Sequence, residues 1–325
     1  MTVCTVRDAV PGDRGAILAL LATSLGWADD ERLPGFWAWK HDENPFGSSP
    51  ALVAEVDGAV VGFRTFLRWE FVDPGGAVLG AVRAVDTATH PRFQGQGIFR
   101  TLTLRALEEL EAERVSFVFN TPNDRSRPGY LAMGWSVVGR LPTAARFRSP
   151  LAALRLTRAR VPAERWSSEC EAGRPAPDVL ADAGLDDLLG SMDGGSGLRT
   201  HRTAAYLRWR YGFAPLRYRA VTVSDRIADG VAIFRHRRRG PASEIALCDL
   251  LVPHDDARAT HELIRAVSRV GGDYVIRIGG PPLDRFGFVR LIGQGPILTW
   301  RPLGAHVSDA PSHPWDLGLG DIELF

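Results

Sequence analysis

The chain has 325 residues, 45% hydrophobic and 24% charged, with 39 Lys and Arg against 38 Asp and Glu. That is enough apolar material to pack one large or two ordinary domains, and a net charge of +1 makes no general case for nucleic acid or membrane as a partner. Three widely separated cysteines, Cys4, Cys170 and Cys248, argue against a disulfide frame, and no apolar run nears the roughly 20 residues that span a bilayer. Asp8 and Asp13 precede the first apolar run, so the start does not read as a signal peptide and a cytoplasmic protein is expected. Every basic residue except Lys40 is arginine, which reads as the bias of a GC-rich coding genome.

Val3 to Arg7 reads as a short strand. Asp13 is placed to cap a helix whose Ile17, Leu18, Leu20 and Leu21 share a face. Residues 51–55 and 60–66 form two strands across Asp57-Gly58, a tight hairpin signal. The turn Asp73-Pro74-Gly75-Gly76 leads into a strand over 77–89. Next comes HPRFQGQGIFRTLTLRALEEL (His90–Leu110), a glycine-rich turn running into an amphipathic helix. A short apolar strand over 115–119 reads as central in its sheet, with a short helix after it. The order is that of an α/β domain.

The polar stretch SSECEAGRPAP (Ser167–Pro177) reads as a linker, and the half of the chain beyond it repeats features of the first half. FWAWKHDENPFG in the first half matches YLRWRYGFAPLRY in the second through Trp39/Lys40/Pro45 and Trp209/Arg210/Pro215. Val85-Asp86 matches Cys248-Asp249, and Gly134-Trp135 matches Gly287-Phe288, with Arg148 and Arg301 downstream at equal spacing. The expected layout is one domain over 1–150, a linker over 151–178 and a second copy with a C-terminal tail over 179–325. One large mixed sheet with coincidental aromatics is the alternative.

Gln94-Gly95-Gln96-Gly97-Ile98-Phe99 lies between a strand and a helix. Glycines there admit close backbone approach, and the first N–H groups of the helix point outward with the positive end of its dipole, which suits a phosphate. The spacing fits neither GxGxxG nor a Walker A loop. A plain tight connection is the structural alternative. Downstream lie Asn120, Asn123, Ser126, Tyr130 and Gly134-Trp135.

These two stretches resemble the GCN5-related N-acyltransferase (GNAT) superfamily. Gln94–Phe99 is similar to its Gln/Arg-x-x-Gly-x-Gly/Ala pyrophosphate loop, and Asn123-x-x-Ser126-x-x-x-Tyr130-x-x-x-Gly134-Trp135 to its Asn-x-x-Ala-x-x-x-Tyr-x-x-x-Gly-Phe element. The resemblance covers about 3–148, with Phe99 standing where the family loop has a small residue. It implies two tandem GNAT-like α/β domains, each a mixed, mostly antiparallel sheet flanked by helices, with the second copy degenerate. It implies acetyl-CoA or a longer acyl-CoA as co-substrate. The backbone of Thr87, Ala88 and Thr89 would pair with the pantetheine arm. Gln94, Gly95, Gln96, Gly97, Ile98, Phe99 and Arg100 would hold the pyrophosphate, with Asn120 and Asn123 beside the cofactor. Tyr130 would protonate the departing thiolate.

Three sources of a base are open: Asp86 on the strand, His201 from the second copy, and the tail with Trp315, Asp321, Glu323 and the terminal carboxylate. Asp86 could instead pair with Arg83 or Arg92 at a bulge, His201 could be a solvated helix start, and the tail a disordered end. Asp255 and Asp256 at the matching helix start, and the lack of a tyrosine in Asp284-Arg285-Phe286, imply one CoA site per chain. Trp27, Phe36, Trp37 and Trp39 form an aromatic cluster near the expected acceptor side, suited to a sugar, an aryl group or an acyl chain. His236–Gly240 reads as a basic, solvated hairpin turn, and histidines and cysteines show no metal spacing. The expected acceptor is a small-molecule primary amine, with an amino sugar of a natural product such as a glycopeptide antibiotic as the leaning. A protein N-acetyltransferase and a non-catalytic CoA sensor are the alternatives.

Overall fold

The structure, a computed structural model, describes residues 4–25, 30–159, 161–192, 194–279, 286–304 and 314–323. The strands are β1 (Thr5–Asp8), β2 (Ala51–Val56), β3 (Ala59–Val72), β4 (Val78–Thr89), β5 (Phe117–Asn120), β6 (Ser136–Arg140), β7 (Thr143–Phe147), β8 (Arg174–Pro175), β9 (Leu198–Thr200), β10 (Arg219–Thr222), β11 (Val231–Arg239), β12 (Ala242–Leu251), β13 (Tyr274–Ile278), β14 (Val289–Arg290), β15 (Ile297–Pro302) and β16 (Trp315–Asp316). The helices are α1 (Arg14–Leu25), α2 (Leu33–Trp37, continued as a π-turn over Ala38–Asp42), α3 (Ile98–Ala112), α4 (Arg127–Leu131), α5 (Pro150–Arg158), α6 (Ala176–Leu180), α7 (Leu185–Ser191), α8 (Ala204–Gly212), α9 (Ala257–Arg269) and α10 (Leu319–Ile322).

Two mixed sheets have the same order. The first runs β1-β2-β3-β4-β5-β15-β6 and the second β8-β10-β11-β12-β13-β7-β14. In each, the fourth and fifth strands are parallel and the other neighbours in this path are antiparallel. The chain is therefore two copies of one α/β topology, but they do not separate at the linker. The sixth strand of each sheet comes from the other half: β15 joins the first sheet and β7 the second. The expected boundaries at 150 and 179 are thus crossed in both directions.

The matched glycines and arginines obey the same exchange. A Cβ on Gly134 would lie 3.3 Å from Arg301 Nε, and one on Gly287 3.5 Å from Arg146 Nε. The partner of Arg301 across the repeat is Arg146 rather than Arg148. The matched tryptophans meet at the centre: Trp39 and Trp209 stack at 5.3 Å. Each indole N–H donates to the other's backbone carbonyl, at 2.7 and 2.6 Å.

Local chemistry explains the elements that set the site. Asp57 (φ 50°) and Gly58 (φ 78°) are both left-handed, as a two-residue type I′ hairpin needs. Asp13 reaches back from the start of α1 to Arg7 and to the Val10 N–H, instead of capping the helix forward. Ile98, Leu102, Ala106, Leu107 and Leu110 bury one face of α3 on the first sheet. Gly62 on β3 permits the close approach, since a Cβ there would sit 2.5 Å from Ile98 and 2.9 Å from Ala54. The linker is part of the structure: β8 extends the second sheet, and Glu164 and Ser168 donate backbone hydrogen bonds to β11.

A fragment ending at Ser149 would lack β15, leaving β5 and β6 without the strand between them. We expect it to be expressed unfolded or aggregated, with native-like circular dichroism and cooperative unfolding restored only when the 286–325 segment is present.

Candidate active site

β4 and β5 pair in parallel only from Ala81/Phe117 to Arg83/Phe119. β4 then continues to Thr89 while β5 ends at Asn120, so the strands part. A cavity of about 610 Å³ opens there, lined by residues 83–89 of β4 and by 120–123 at the end of β5 and just after it, with Gln94, Phe99 and Tyr130 on its wall. The glycine turn lies at one end. Gly95 (φ 75°) and Gly97 (φ 80°) are left-handed, and nothing lies within 4 Å of a Cβ built on either. Gly97 is the N-cap of α3. Among the described residues, no backbone N–H from Gly95 to Arg100 donates within the chain; Thr101 makes the first bond, to the Gly97 carbonyl at 2.9 Å. Gln94 braces the turn through the Thr89 carbonyl (3.2 Å) and Gln96 through the Arg92 carbonyl (3.4 Å). The result is an open bowl of free N–H donors on a helix dipole.

Asp86 sits on a β4 bulge with φ 40°. It pairs with neither Arg83 nor Arg92. Its Oδ2 takes Lys40 Nζ at 2.6 Å and His41 Nε2 at 2.9 Å, and His41 Nδ1 meets Ser49 Oγ at 2.9 Å. Burial alone would raise the carboxyl's proton affinity, but the Lys40 charge and the His41 hydrogen bond hold it well below the usual carboxylate range. Burial pulls Lys40 and His41 down, so the imidazole is neutral near pH 7. Asp86 is thus a permanent anion with one oxygen engaged. Its Oδ1 has no partner among the described residues.

Tyr130 is buried on α4, stacked edge-on against Phe99 (5.4 Å) and Trp135 (5.1 Å). Its hydroxyl accepts from Arg64 Nη1 at 2.8 Å, and the same nitrogen donates to Thr87 Oγ1. Asn123 spends its amide oxygen on the Arg125 and Ser126 N–H groups, anchoring the start of α4. Asn120 accepts from Thr299 Oγ1 at 2.6 Å, tying the cavity floor to the exchanged strand β15. Ala88 and Thr89 lie along the open edge of β4, and Ile98 is on the buried face of α3.

Residues 5–138 match the family model described as "Acetyltransferase (GNAT) domain". Over that segment the chain is similar to GNAT acetyltransferase domains. A probable N-acyltransferase of Enterococcus faecalis V583 has a similar structure, with a TM-score of 0.67 and 13% identity over 93% of this chain and 73% of that one. A GCN5-related N-acetyltransferase of Kribbella flavida gives 0.65 and 15% over 93% and 71%, and Eis1 of Mycobacterium abscessus 0.58 and 14% over 93% and 74%. At these identities the likeness is one of fold, and it extends across both copies. No curated protein matches the sequence.

The second GNAT-like copy treats the same places differently. β12 and β13 also part, after Ala246/Ile276. There the chain's own tail packs in: a Cβ on Gly279 would collide with the Leu317 carbonyl, and Gly318 and Gly320 press on the Cys248 carbonyl. Asp256 caps α9 and uses the Arg258 and Ala259 N–H groups at 2.7 and 3.1 Å. His201 is not near Tyr130 or Asp86. It pairs with Glu70 at 2.8 Å and lines a separate cavity of about 940 Å³ with Arg202 and Asp249. Trp27, Asp284, Arg285 and the terminal Phe325 lie outside the described residues.

The described part of the tail, 314–323, packs into the molecule, with Leu317, Leu319, Ile322 and Glu323 buried. Asp321 pairs with Arg202 at 3.0 Å, and Arg83, on the cavity wall, donates to the Asp321 and Ile322 carbonyls. Burial brings the Arg83 guanidinium down to about 9. Glu323 is buried among Arg235 (3.0 Å), Arg237 (3.2 Å), Arg210 (3.5 Å) and the Tyr218 hydroxyl (2.6 Å). Arg237 therefore points inward, so His236–Gly240 is the end of β11 running into its hairpin turn and is not a wholly solvated basic run. Arg165 on the cavity lining, and Lys40, His41 and Arg64 behind it, are residues that sequence reasoning left without a role in the site. The lone lysine in an arginine chain, and an arginine inside the apolar run VVGFRTFL, were the available signals.

Burial would raise the Glu323 carboxyl, but the arginines, Arg235 foremost, bring it from 4.5 to about 2. Its contribution is then complete above pH 4.5 and lost as pH falls towards 2. E323Q leaves buried guanidinium groups uncompensated and is expected to cost about 3–5 kcal/mol at pH 7. In urea titrations the gap between wild type and E323Q should narrow progressively below pH 4.5.

Proposed function

We propose that the protein is an acyl-CoA-dependent N-acyltransferase that moves an acetyl or longer acyl group to the primary amine of a small molecule, with an amino sugar as the acceptor class. The observation that carries the reading is the parting of β4 and β5 onto the free N–H groups of Gly95–Arg100, with Tyr130 on the same wall. A pantetheine arm is a strand-like partner for the open edge of Thr87–Thr89, and a pyrophosphate suits the bowl at the start of α3. The amine attacks the thioester carbonyl, the C–N bond forms and the C–S bond breaks. Tyr130 gives its proton to the departing thiolate, and the ammonium proton passes Asp86 Oδ1 to solvent. A carboxylate of such low proton affinity orients the amine and passes the proton on without keeping it. Phe36 adds an aromatic face to the acceptor side. Positioning supplies most of the rate.

Isothermal titration with acetyl-, octanoyl- and decanoyl-CoA tests this. Wild type should bind one equivalent of a preferred thioester, and Gly97→Asp, which places a carboxylate in the bowl, should bind none. Y130F should keep the CoA affinity and lose about 100-fold or more in kcat. Failure of all three thioesters to bind folded protein overturns the reading, and two equivalents per chain overturns the assignment to the first copy alone.

A further inference from the structure

Arg64 is fully buried in the middle of β3, yet among the described residues it has no carboxylate partner. Its Nε and Nη2 have no hydrogen-bond partner either. A buried charge is expensive, and evolution of a packed core normally replaces such a group with a hydrophobe unless something depends on it. Aromatic faces enclose this guanidinium: Phe66 at 4.3 Å, Tyr130 at 5.3 Å and Phe99 at 5.6 Å from the ring centres. Cation–π attraction offsets part of the desolvation. Phe99, which stands where related loops carry a small residue, is thereby explained: it closes the box around the cation and stacks on Tyr130.

Nη1 is the one nitrogen of Arg64 with hydrogen-bond partners, and both line the cavity: the Tyr130 hydroxyl and Thr87 Oγ1. Arg64 itself does not line it. Its hydrogen bonds reach anything bound there only through those two hydroxyls. A phenol has one proton. With an arginine N–H donating to the oxygen, that proton does not point back at Arg64 and is free for an acceptor in the cavity.

We propose that Arg64 is a positioning residue for proton transfer from Tyr130. It aims the phenolic O–H at the leaving sulfur, and it already hydrogen-bonds the phenolate oxygen that remains when the proton has gone. The step balances: the O–H bond of Tyr130 breaks, the S–H bond of free CoA forms, and Tyr130 recovers its proton from solvent after product release. The inference rests on Tyr130 being the acid.

The test is a double-mutant cycle in kcat with acetyl-CoA affinity measured beside it. R64Q should lower kcat by about 30–100-fold while changing the Kd for acetyl-CoA by less than about 3-fold. R64K, which keeps a cationic donor, should recover a substantial part of the loss. In a Y130F background R64Q should cost almost nothing, because the group it positions is gone. Equal losses from R64Q in both backgrounds overturn the proposal, as does full activity of R64Q in a chain where Y130F is crippled. If R64Q does not fold, the comparison of R64K with R64K/Y130F carries the same decision. Full activity of Y130F itself removes the acid reading and this inference together, whereas an intact Y130F effect with a harmless R64Q removes only this one.

Discussion

Neither sheet is complete without the other half of the chain. β15 occupies the place beside β5 that β7 would take in a self-contained first copy, and β7 holds the matching place beside β13. This exchange has energetic and functional consequences. The Trp39–Trp209 stack and its two indole–carbonyl bonds form only when both copies are in register, so each copy satisfies the polar groups that the interface buries in the other. The cavity floor at Asn120 is anchored by Thr299, a residue from the far end of the sequence. The site belongs to the first copy in chemistry and to the whole chain in mechanics.

The tail extends the same logic. Its backbone carbonyls accept from Arg83 on one side and from Arg210 on the other, and its Glu323 side chain neutralises guanidinium groups that the second copy buries. A buried ion pair of this kind contributes little net stability relative to a hydrophobic core, but losing one partner is costly. The tail is therefore held by the need of the arginines for an anion, and with it the wall of the cavity where Arg83 lies.

How legible each feature is in the sequence depends on how local its signal is. The glycine turn, the Asp57-Gly58 hairpin and the Tyr130 segment are set by contiguous residues, and all lie in the elements that their spacing implies. The repeat is legible through Trp39 and Trp209 because both serve one interface. The exchange of β7 and β15 is not, because an apolar strand carries no mark of which sheet edge it will join. The pairing of Arg301 with Gly134 shows the same limit: equal spacing picks Arg148 as its match, while Arg146 holds the corresponding place against Gly287. Ser312–Phe325 has no period of its own because its described part is shaped by the groove it enters. Lys40 reads as ordinary until the bulge at Asp86 brings a carboxylate to it.

The two copies also separate scaffold from chemistry. In the first, Asp86 is held by Lys40 and His41, the two residues after Trp39. In the second, Asp249 is held by Tyr211, two residues after Trp209, and by Arg202. An aspartate clamped by the tryptophan helix is thus common to both, including the copy whose groove the tail enters. Clamping alone cannot be what confers activity. Asp249 has both oxygens engaged, whereas Asp86, which lines the first cavity, has no partner for Oδ1 among the described residues. The first copy adds three things to the shared frame: free N–H groups where the second has Asp256 as a cap, a tyrosine on the wall, and a buried arginine bonded to that tyrosine. Those additions, more than the aspartate, mark where acyl transfer would take place.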